Sequence, residues 1–420
     1  MHPADLLARP DLWLLLSAIP SALAARNAVR SFKLNLVAGA SFFFAGWITT
    51  ELALQHVALQ AAWVALWIAL GALRVWTGWV GLAVFAVGWV SLFRLHQRGH
   101  LAVFATKSAF HTVGLPHETL VRGRLPLLHA ANPFWHRHSK VRRLRHRVLF
   151  QGDGYTLRAD VFHRRDLPQG APVLVYAHGG GWVLGYKKHQ GLPLLTRMAA
   201  AGWVCVSVDY RLSPLATFPD HLIDVKRGVA WAREHAHEWG GDPRFLAICG
   251  NSAGAHLASL TALTPGQKVY QPGFEAADTH VDALVGLYGV YDLTNRFGHW
   301  PGDGIKPLWE KLVAKKTREE APALYRAASP VDQVSRHAPP TLLIHGTNDT
   351  LAPTEESRRF AHALRAVSDQ PVLLAEIDGA QHAFDIFHSV RGRYAVDAIA
   401  HFLTLMRDRA ERARDVGGAT

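Results

Sequence analysis

Charge is nearly absent from one long stretch of this 420-residue chain: between Leu34 and Phe93 only Glu51 and Arg74 are formally charged. Such a stretch excludes an ordinary soluble surface, so residues 1–100 are expected to form an N-terminal hydrophobic, membrane-spanning helical region. Cysteine is scarce as well. The two present, Cys205 and Cys249, sit in separate apolar runs that read as buried strands, where a thiol packs as a small hydrophobe. A disulfide framework and a metal site are therefore not expected, and no cofactor is implied. The sequence also lacks self-similarity at solenoid or propeller periods.

Within the apolar region, Leu34 to Thr50, Leu52 to Leu73 and Val75 to Phe93 are uncharged runs, each near the length of a bilayer-crossing helix. Three spans fit by length. The flanks argue otherwise, because Arg26, Arg30 and Lys33 precede the region while Arg94, Arg98 and Lys107 follow it, and basic residues on both sides favour an even number of crossings. Two rival readings apply to the same residues. Leu12 to Ile19 could be a signal-peptide core with a small-residue site at Ala22, Leu23 and Ala24, but Asp5, Asp11 and a single Arg9 make a poor basic leader. A greasy helical cap on a soluble protein is the other, since Gln55, His56 and Gln60 interrupt the middle run. The net charge of +12 is concentrated around the apolar region and just after it, densest at Arg137, Lys140, Arg142, Arg143, Arg145 and Arg147. This run suits a lipid headgroup surface better than a nucleic-acid groove, or it is a solvated basic linker. Residues 101–144 are accordingly read as a basic linker or cap segment.

Beyond it, short β-rich runs alternate with periodic helical stretches. The strands are expected at Val173 to Ala177, Trp203 to Asp209, Phe245 to Cys249, Ala283 to Tyr288, Thr341 to His345 and Val372 to Ile377. Helices are expected at Leu192 to Ala201, Pro219 to Trp239, Ala253 to Thr264, Glu355 to Val367 and Arg393 to Arg412. This alternation predicts an α/β fold with a mainly parallel, doubly wound sheet. Arg145 to Val161 reads instead as an antiparallel hairpin turning at Gly152, Asp153 and Gly154.

Chemistry enters at the turn between the strand ending in Cys249 and the helix starting at Ala253. There Gly250, Ser252 and Gly254 form a G-x-S-x-G elbow, in which a strained serine stands above the sheet and side chains at the glycines would collide with neighbouring backbone. The N–H of Ala253 then points at any oxyanion formed on the serine. Upstream, Val173 to Ala177 runs into His178, Gly179, Gly180, Gly181 and Trp182, a glycine run that brings backbone donors close to a ligand. Downstream, the strand ending at His345 is followed by Asp349, and the strand ending at Ile377 by His382. The order Ser252, Asp349, His382 is that of a nucleophile, an acid and a base converging on one rim of the sheet. His382 would take the serine proton and return it to the leaving alcohol, while Asp349 orients the ring. His345 and His256 read as local structure, Asp385 is the fallback acid, and the sequon at Asn348 to Thr350 is a chance match.

Together these motifs resemble the α/β-hydrolase fold and, within it, the hormone-sensitive-lipase-like carboxylesterases, over roughly Val148 to Arg409. HGGGW at His178, DYRLSP at Asp209 to Pro214, Phe218 and Pro219 with Asp224 beyond, GNSAG at Gly250 to Gly254, and the Asp349 and His382 loops occur in the family's order. The resemblance implies an oxyanion hole from Gly180, Gly181 and Ala253, with His178 and Asp224 as structural organisers. Asn251 and Leu215 depart from the family, which commonly carries acidic residues there. The membrane-anchored layout also resembles actinobacterial membrane esterases and, more distantly, isoprenylcysteine methylesterases, implying a bacterial plasma membrane; the side of the catalytic domain is open, with a lean towards the cytoplasm. The expected organisation is thus a catalytic domain over 145–413, a cap insertion at 292–328 carrying Phe297, Trp300, Leu308, Trp309 and Leu312, and a tail at 414–420. The implied activity is hydrolysis of a small-molecule or lipid ester with an apolar acyl or alcohol group. An arylformamidase-like amide hydrolase and a non-catalytic ligand-binding protein of the same fold are the alternatives.

Overall fold

The computed structural model describes residues 9–31, 36–121, 123, 125–152, 154–300 and 304–417. Asp5, Lys33, Leu34 at the head of the first apolar run, Asp153 of the expected hairpin turn, residues 301–303 of the insertion and 418–420 of the tail lie outside these residues.

An eight-stranded sheet forms the centre: β1 (Val141–Gly152), β2 (Tyr155–Arg164), β3 (Ala171–Ala177), β4 (Val204–Val208), β5 (Gly241–Asn251), β6 (Ala283–Leu287), β7 (Thr341–Gly346) and β8 (Val372–Ile377). Its order is β1-β2-β4-β3-β5-β6-β7-β8. The pairs β1/β2 and β2/β4 are antiparallel and the rest parallel. Strands β3 and β4 are buried along their whole length, because a parallel strand has both faces covered and reads as a continuous apolar run. Alternate residues then enter two separate cores. Val173, Val175 and Ala177 face one side with Leu222, Val225, Leu257, Phe360 and Leu364. Leu174 and Tyr176 face the other with Leu195, Met198, Ala395 and Phe402.

The covering helices of the hydrolase part are close to expectation at Leu192–Ala200, Asp220–His235, Ala253–Leu263 and Glu355–Val367. The last helix is longer, running from Val390 to Gly417, so that residues 414–417 continue a helix where a tail was expected. The supposed linker also differs. Ala102–Thr112 is a helix whose Val103, Ala109 and Phe110 join the second core, and Val141 to Leu144 already belong to β1. An apolar stripe at helical spacing inside a basic segment explains the first difference. Strand pairing to β2 explains the second, since backbone bonding organises the basic run whatever its charge.

Ahead of the sheet lie α1 (Pro10–Val29), α2 (Leu36–Glu51), α3 (Ala53–Ala69) and α4 (Trp76–Gly99). The three expected apolar runs therefore each hold a helix, and α1 is a further apolar helix packed against α4. Gly81 permits that crossing, because a Cβ there would stand 2.9 Å from the backbone nitrogen of Leu15. Among the described residues, two stretches, Pro10–Val29 and Trp76–Thr112, are long and apolar enough to cross a membrane.

Candidate active site

Strand β5 ends at Asn251, and the chain reverses into the helix Ala253–Leu263, here α5, through Ser252 at φ 53° and ψ −124°. For a residue with a side chain this conformation costs on the order of 1–3 kcal/mol. It is held by the Ser252 N–H, which donates to the Leu287 carbonyl at 2.9 Å at the end of β6. Close backbone packing dictates the flanking glycines. A Cβ on Gly250 would lie 2.2 Å from the Gly254 carbonyl oxygen, and one on Gly254 would lie 2.1 Å from that of Ala177.

The HGGGW loop leaves β3 directly beside this elbow. A Cβ on Gly179 would stand 3.0 Å from the Ser252 Cβ. The Gly179 N–H is already engaged, donating to Gln190 Oε1 at 2.7 Å. Among the described residues, the N–H groups of Gly180 and Gly181 have no such acceptor. The Ala253 N–H, first in α5, is one of the donors that a helix leaves unsatisfied. Below the loop, the His178 Nδ1–H donates to the Gly179 carbonyl at 2.8 Å and its ring stacks on Tyr210, whose hydroxyl donates to the His178 carbonyl. Burial pushes the His178 pKa down, so the ring is a neutral prop. Asp224 accepts three bonds from Arg211 and lies well below the surface.

Asp349 and His382 meet on the same rim. The His382 Nδ1 lies 2.7 Å from Asp349 Oδ2, while Asp349 Oδ1 accepts from the N–H groups of Leu351 and Ala352 at 2.8 Å each. Burial works to raise the Asp349 pKa, but the facing His382 and bonds from His345 and His382 outweigh it, holding the carboxylate below its usual range. His345, at the end of β7, braces the acid locally: its Nε2 stands 3.2 Å from the same Oδ2, with Nδ1 on Ser357 Oγ at 2.7 Å. The fallback acid is occupied elsewhere: Asp385 Oδ1 accepts a hydrogen bond from the Tyr288 hydroxyl, and Asn251 Nδ2 donates to that hydroxyl at 2.9 Å. Tyr288 connects the two halves of the site. Its ring is 4.5 Å from that of His382, and it directly follows Leu287, the partner of Ser252. Among the described residues, the Ser252 hydroxyl has no hydrogen-bond partner, so the bond from Oγ to the imidazole is the one contact of the expected triad that is open.

The family model BD-FAE matches residues 159–364, from β2 to the helix after β7. Esterase 2 of the planctomycete Thermogutta terrifontis, solved with butyrate, superposes with a TM-score of 0.51 at 26% identity over 64% of this chain and 93% of that one. The probable carboxylic ester hydrolase LipM of Mycobacterium tuberculosis is 48% identical over 58% of this chain, which spans 57% of LipM's own length. Esterase LipC of the same organism is 43% identical over 65% of this chain and 68% of LipC. The chain is a member of the hormone-sensitive-lipase-like carboxylesterase family of α/β-hydrolases.

In this carboxylesterase-family member the insertion after β6 closes over the elbow. Trp309 is fully buried against Trp182, Phe218 and His256, and the Trp300 indole donates to Glu356 Oε1 at 2.7 Å, so both tryptophans anchor the insertion to the body. Leu308 faces the glycine loop, its Cδ2 3.3 Å from where a Gly181 Cβ would stand. Phe297 is exposed beside Arg359. His256 ties elbow to insertion, accepting from the Trp182 indole at 3.1 Å and donating to the Ala328 carbonyl at 2.7 Å. Among the described residues, no three His, Cys, Asp or Glu side chains gather as metal ligands. Sequence reasoning missed Tyr288, Gln381 and the helices near His382. Gln381 and Tyr288 could have been suspected from their places at strand or loop ends, but no local signal ties a residue near position 40 to one near 380.

Proposed function

We propose that the protein is a membrane-associated serine carboxylesterase or lipase. Ser252 Oγ attacks the ester carbonyl carbon and passes its proton to His382 Nε2. The N–H groups of Gly180, Gly181 and Ala253 stabilise the oxyanion of the tetrahedral intermediate. When the C–O bond to the alcohol breaks, His382 returns the proton to the departing oxygen, leaving an acyl group on Ser252. A water molecule, deprotonated by His382, then releases the acid and restores the hydroxyl. Asp349 keeps the Nδ1–H tautomer in place and stabilises the imidazolium. The observation that carries this reading is the 2.7 Å bond from His382 to Asp349 on the same rim as the strained Ser252.

An apolar acyl or alcohol group is supported by Leu308 at the glycine loop and by the Phe43 ring, 6.3 Å edge-on from that of His382. Butyrate bound to the Thermogutta esterase is consistent with such a group. Membrane association is supported by Leu16, Ile19, Leu23, Leu59, Trp79 and Val87, large apolar side chains exposed on the N-terminal helices. A bacterial plasma membrane, with the hydrolase on the cytoplasmic side near the exposed Arg137, Arg142 and Arg145, completes the reading.

The test uses the full chain in detergent and in vesicles. Hydrolysis of nitrophenyl esters from acetate to palmitate, and labelling by a fluorophosphonate that is lost in Ser252→Ala, are expected. Turnover of aryl formamides without any ester would move the assignment to amides, and ligand binding with neither turnover nor labelling would refute an enzyme.

A further inference from the structure

We infer that the N-terminal helical region is a working part of the hydrolase: Ser31 and Trp47 are positioning residues that hold the loops presenting Asp349 and His382. The inference rests on the esterase reading above. These two loops follow adjacent strands, β7 and β8, and both are gripped from a segment more than 300 residues away in sequence.

The grip on the acid loop comes from the end of α1. Asn348, immediately before Asp349, accepts the Ser31 N–H on Oδ1 at 3.2 Å and donates from Nδ2 to the Ala28 carbonyl at 3.3 Å. Ser31 Oγ in turn accepts from Gln381 Nε2 at 3.1 Å, reaching the residue immediately before His382. Gln381 is itself a hub. Its Oε1 accepts from the Thr350 N–H at 2.8 Å and the His382 N–H at 2.9 Å, so a single buried amide ties both loops to Ser31.

The grip on the other side of the imidazole comes from α2. The Trp47 indole N–H donates to the Ala383 carbonyl at 2.8 Å. Ala383, directly after His382, stands at φ 62°, a left-handed conformation unfavourable for a residue with a Cβ. Such a conformation persists where surrounding contacts over-determine it, and the Trp47 bond is one of those contacts. Phe43, one turn earlier on α2, sets its ring against His382 and stacks on Trp47 at 5.7 Å. Farther along, Ser389 Oγ donates to Glu51 Oε2 at 2.9 Å, fixing the chain before the last helix to the end of α2. Loops ordered by contacts on one face only would leave the acid and imidazole free to separate. Contacts flanking both residues bring them to one geometry at little cost during reaction.

The experiment measures nitrophenyl butyrate hydrolysis by full-length protein in one detergent, with thermal unfolding followed for every variant. Ser31→Ala and Trp47→Phe are expected to lower kcat about tenfold with KM within about twofold. Ser31→Thr, which keeps the hydroxyl, restores kcat. Ala383→Gly, free of the left-handed penalty, recovers most of the kcat lost in Trp47→Phe, a rescue that a mere loss of folding would not show. Trp63→Phe is the control, because that indole bonds Ser17 inside the helical region, and it leaves kcat unchanged. An active wild type whose Ser31→Ala and Trp47→Phe variants keep full kcat overturns this inference alone, as does a tenfold loss with no rescue by either partner substitution. A wild type without ester turnover or fluorophosphonate labelling overturns the esterase reading as well.

Discussion

His382 directs Nδ1 to Asp349 at 2.7 Å, while Asp385, three residues later and equally buried, turns its carboxylate to the Tyr288 hydroxyl instead. Two buried acids on the loops after adjacent strands thus have different partners. Burial pushes the Asp385 pKa up, against the hydroxyl bond that favours its charged form. Asp349→Asn is expected to lower kcat on the order of 10³- to 10⁴-fold, because the amide presents the wrong hydrogen-bonding pattern to the ring. Asp385→Asn retains an acceptor for Tyr288 and is expected to lose no more than about tenfold. Steady-state hydrolysis of one nitrophenyl ester by both variants decides the matter, and equal losses would mean that the acid is misassigned.

Much of this arrangement was legible in the sequence because it depends on local rules. A strand buried on both faces is a run of Val, Ile and Leu, as in Val173 to Ala177, and the glycines around Ser252 answer backbone collisions that any G-x-S-x-G elbow creates. Strand order and the identity of the residues around Asp349 are different. Gln381 reaches the loop carrying Asp349 only after β7 and β8 pair in register, Gly346 opposite Ile377. The contacts of Ser31 and Trp47 are harder still, since polar atoms at the end of an apolar helix carry no period that identifies their partner. The helix Ala102–Thr112 was hidden by the basic residues beside it, although its apolar positions were at helical spacing.

The elbow glycines give a second prediction. A methyl group at Gly250 or Gly254 would sit near 2.2 or 2.1 Å from a carbonyl oxygen, closer than any contact that rotation of a side chain could relieve. Gly250→Ala and Gly254→Ala are therefore expected to displace Ser252 and abolish fluorophosphonate labelling, with unfolding temperature lowered by overpacking of about 1–3 kcal/mol. Labelling at the wild-type rate in either variant would show that the elbow tolerates a different path.

Acid stability follows from His256. Burial holds its pKa down to about 3, and protonation at Nδ1 would also expel the Trp182 indole that donates there. In the unfolded chain an ordinary histidine takes up its proton near pH 6.5. Between those values the unfolded state binds the extra proton, so stability falls as pH is lowered from about 6.5 towards 3 and rises with pH through the same window. His221, likewise held at about 3 by burial, adds in the same sense. His256→Gln is expected to be less stable at pH 7.5, having lost a well-fitted bond, yet to lose stability less steeply on acidification, by about 1.4 kcal/mol per pH unit. Unfolding temperatures at half-unit steps between pH 7.5 and 4 measure the slope; an unchanged slope would remove His256 from the account.

Leu308 offers a test of which end of the substrate the insertion sees. Its Cδ2 lies 3.3 Å from the Cβ position of Gly181, beside the donors proposed for the oxyanion, where the first carbons of an acyl chain would pass. Trp309, the next residue, is buried against the body and fixes the backbone, so truncation at 308 opens space without releasing the insertion. Removing three carbons makes room for about as many methylenes, each contributing about 0.8 kcal/mol when buried. Leu308→Ala is thus expected to raise the ratio of kcat/KM for octanoate over butyrate esters by up to about fiftyfold, and Leu308→Phe to lower it. Matched alcohol series on a constant acetyl group provide the contrast. If Leu308→Ala changes preference among alcohols and not among acyl chains, the insertion covers the leaving group, and the acyl chain must run on the opposite side, towards Phe43 and α2.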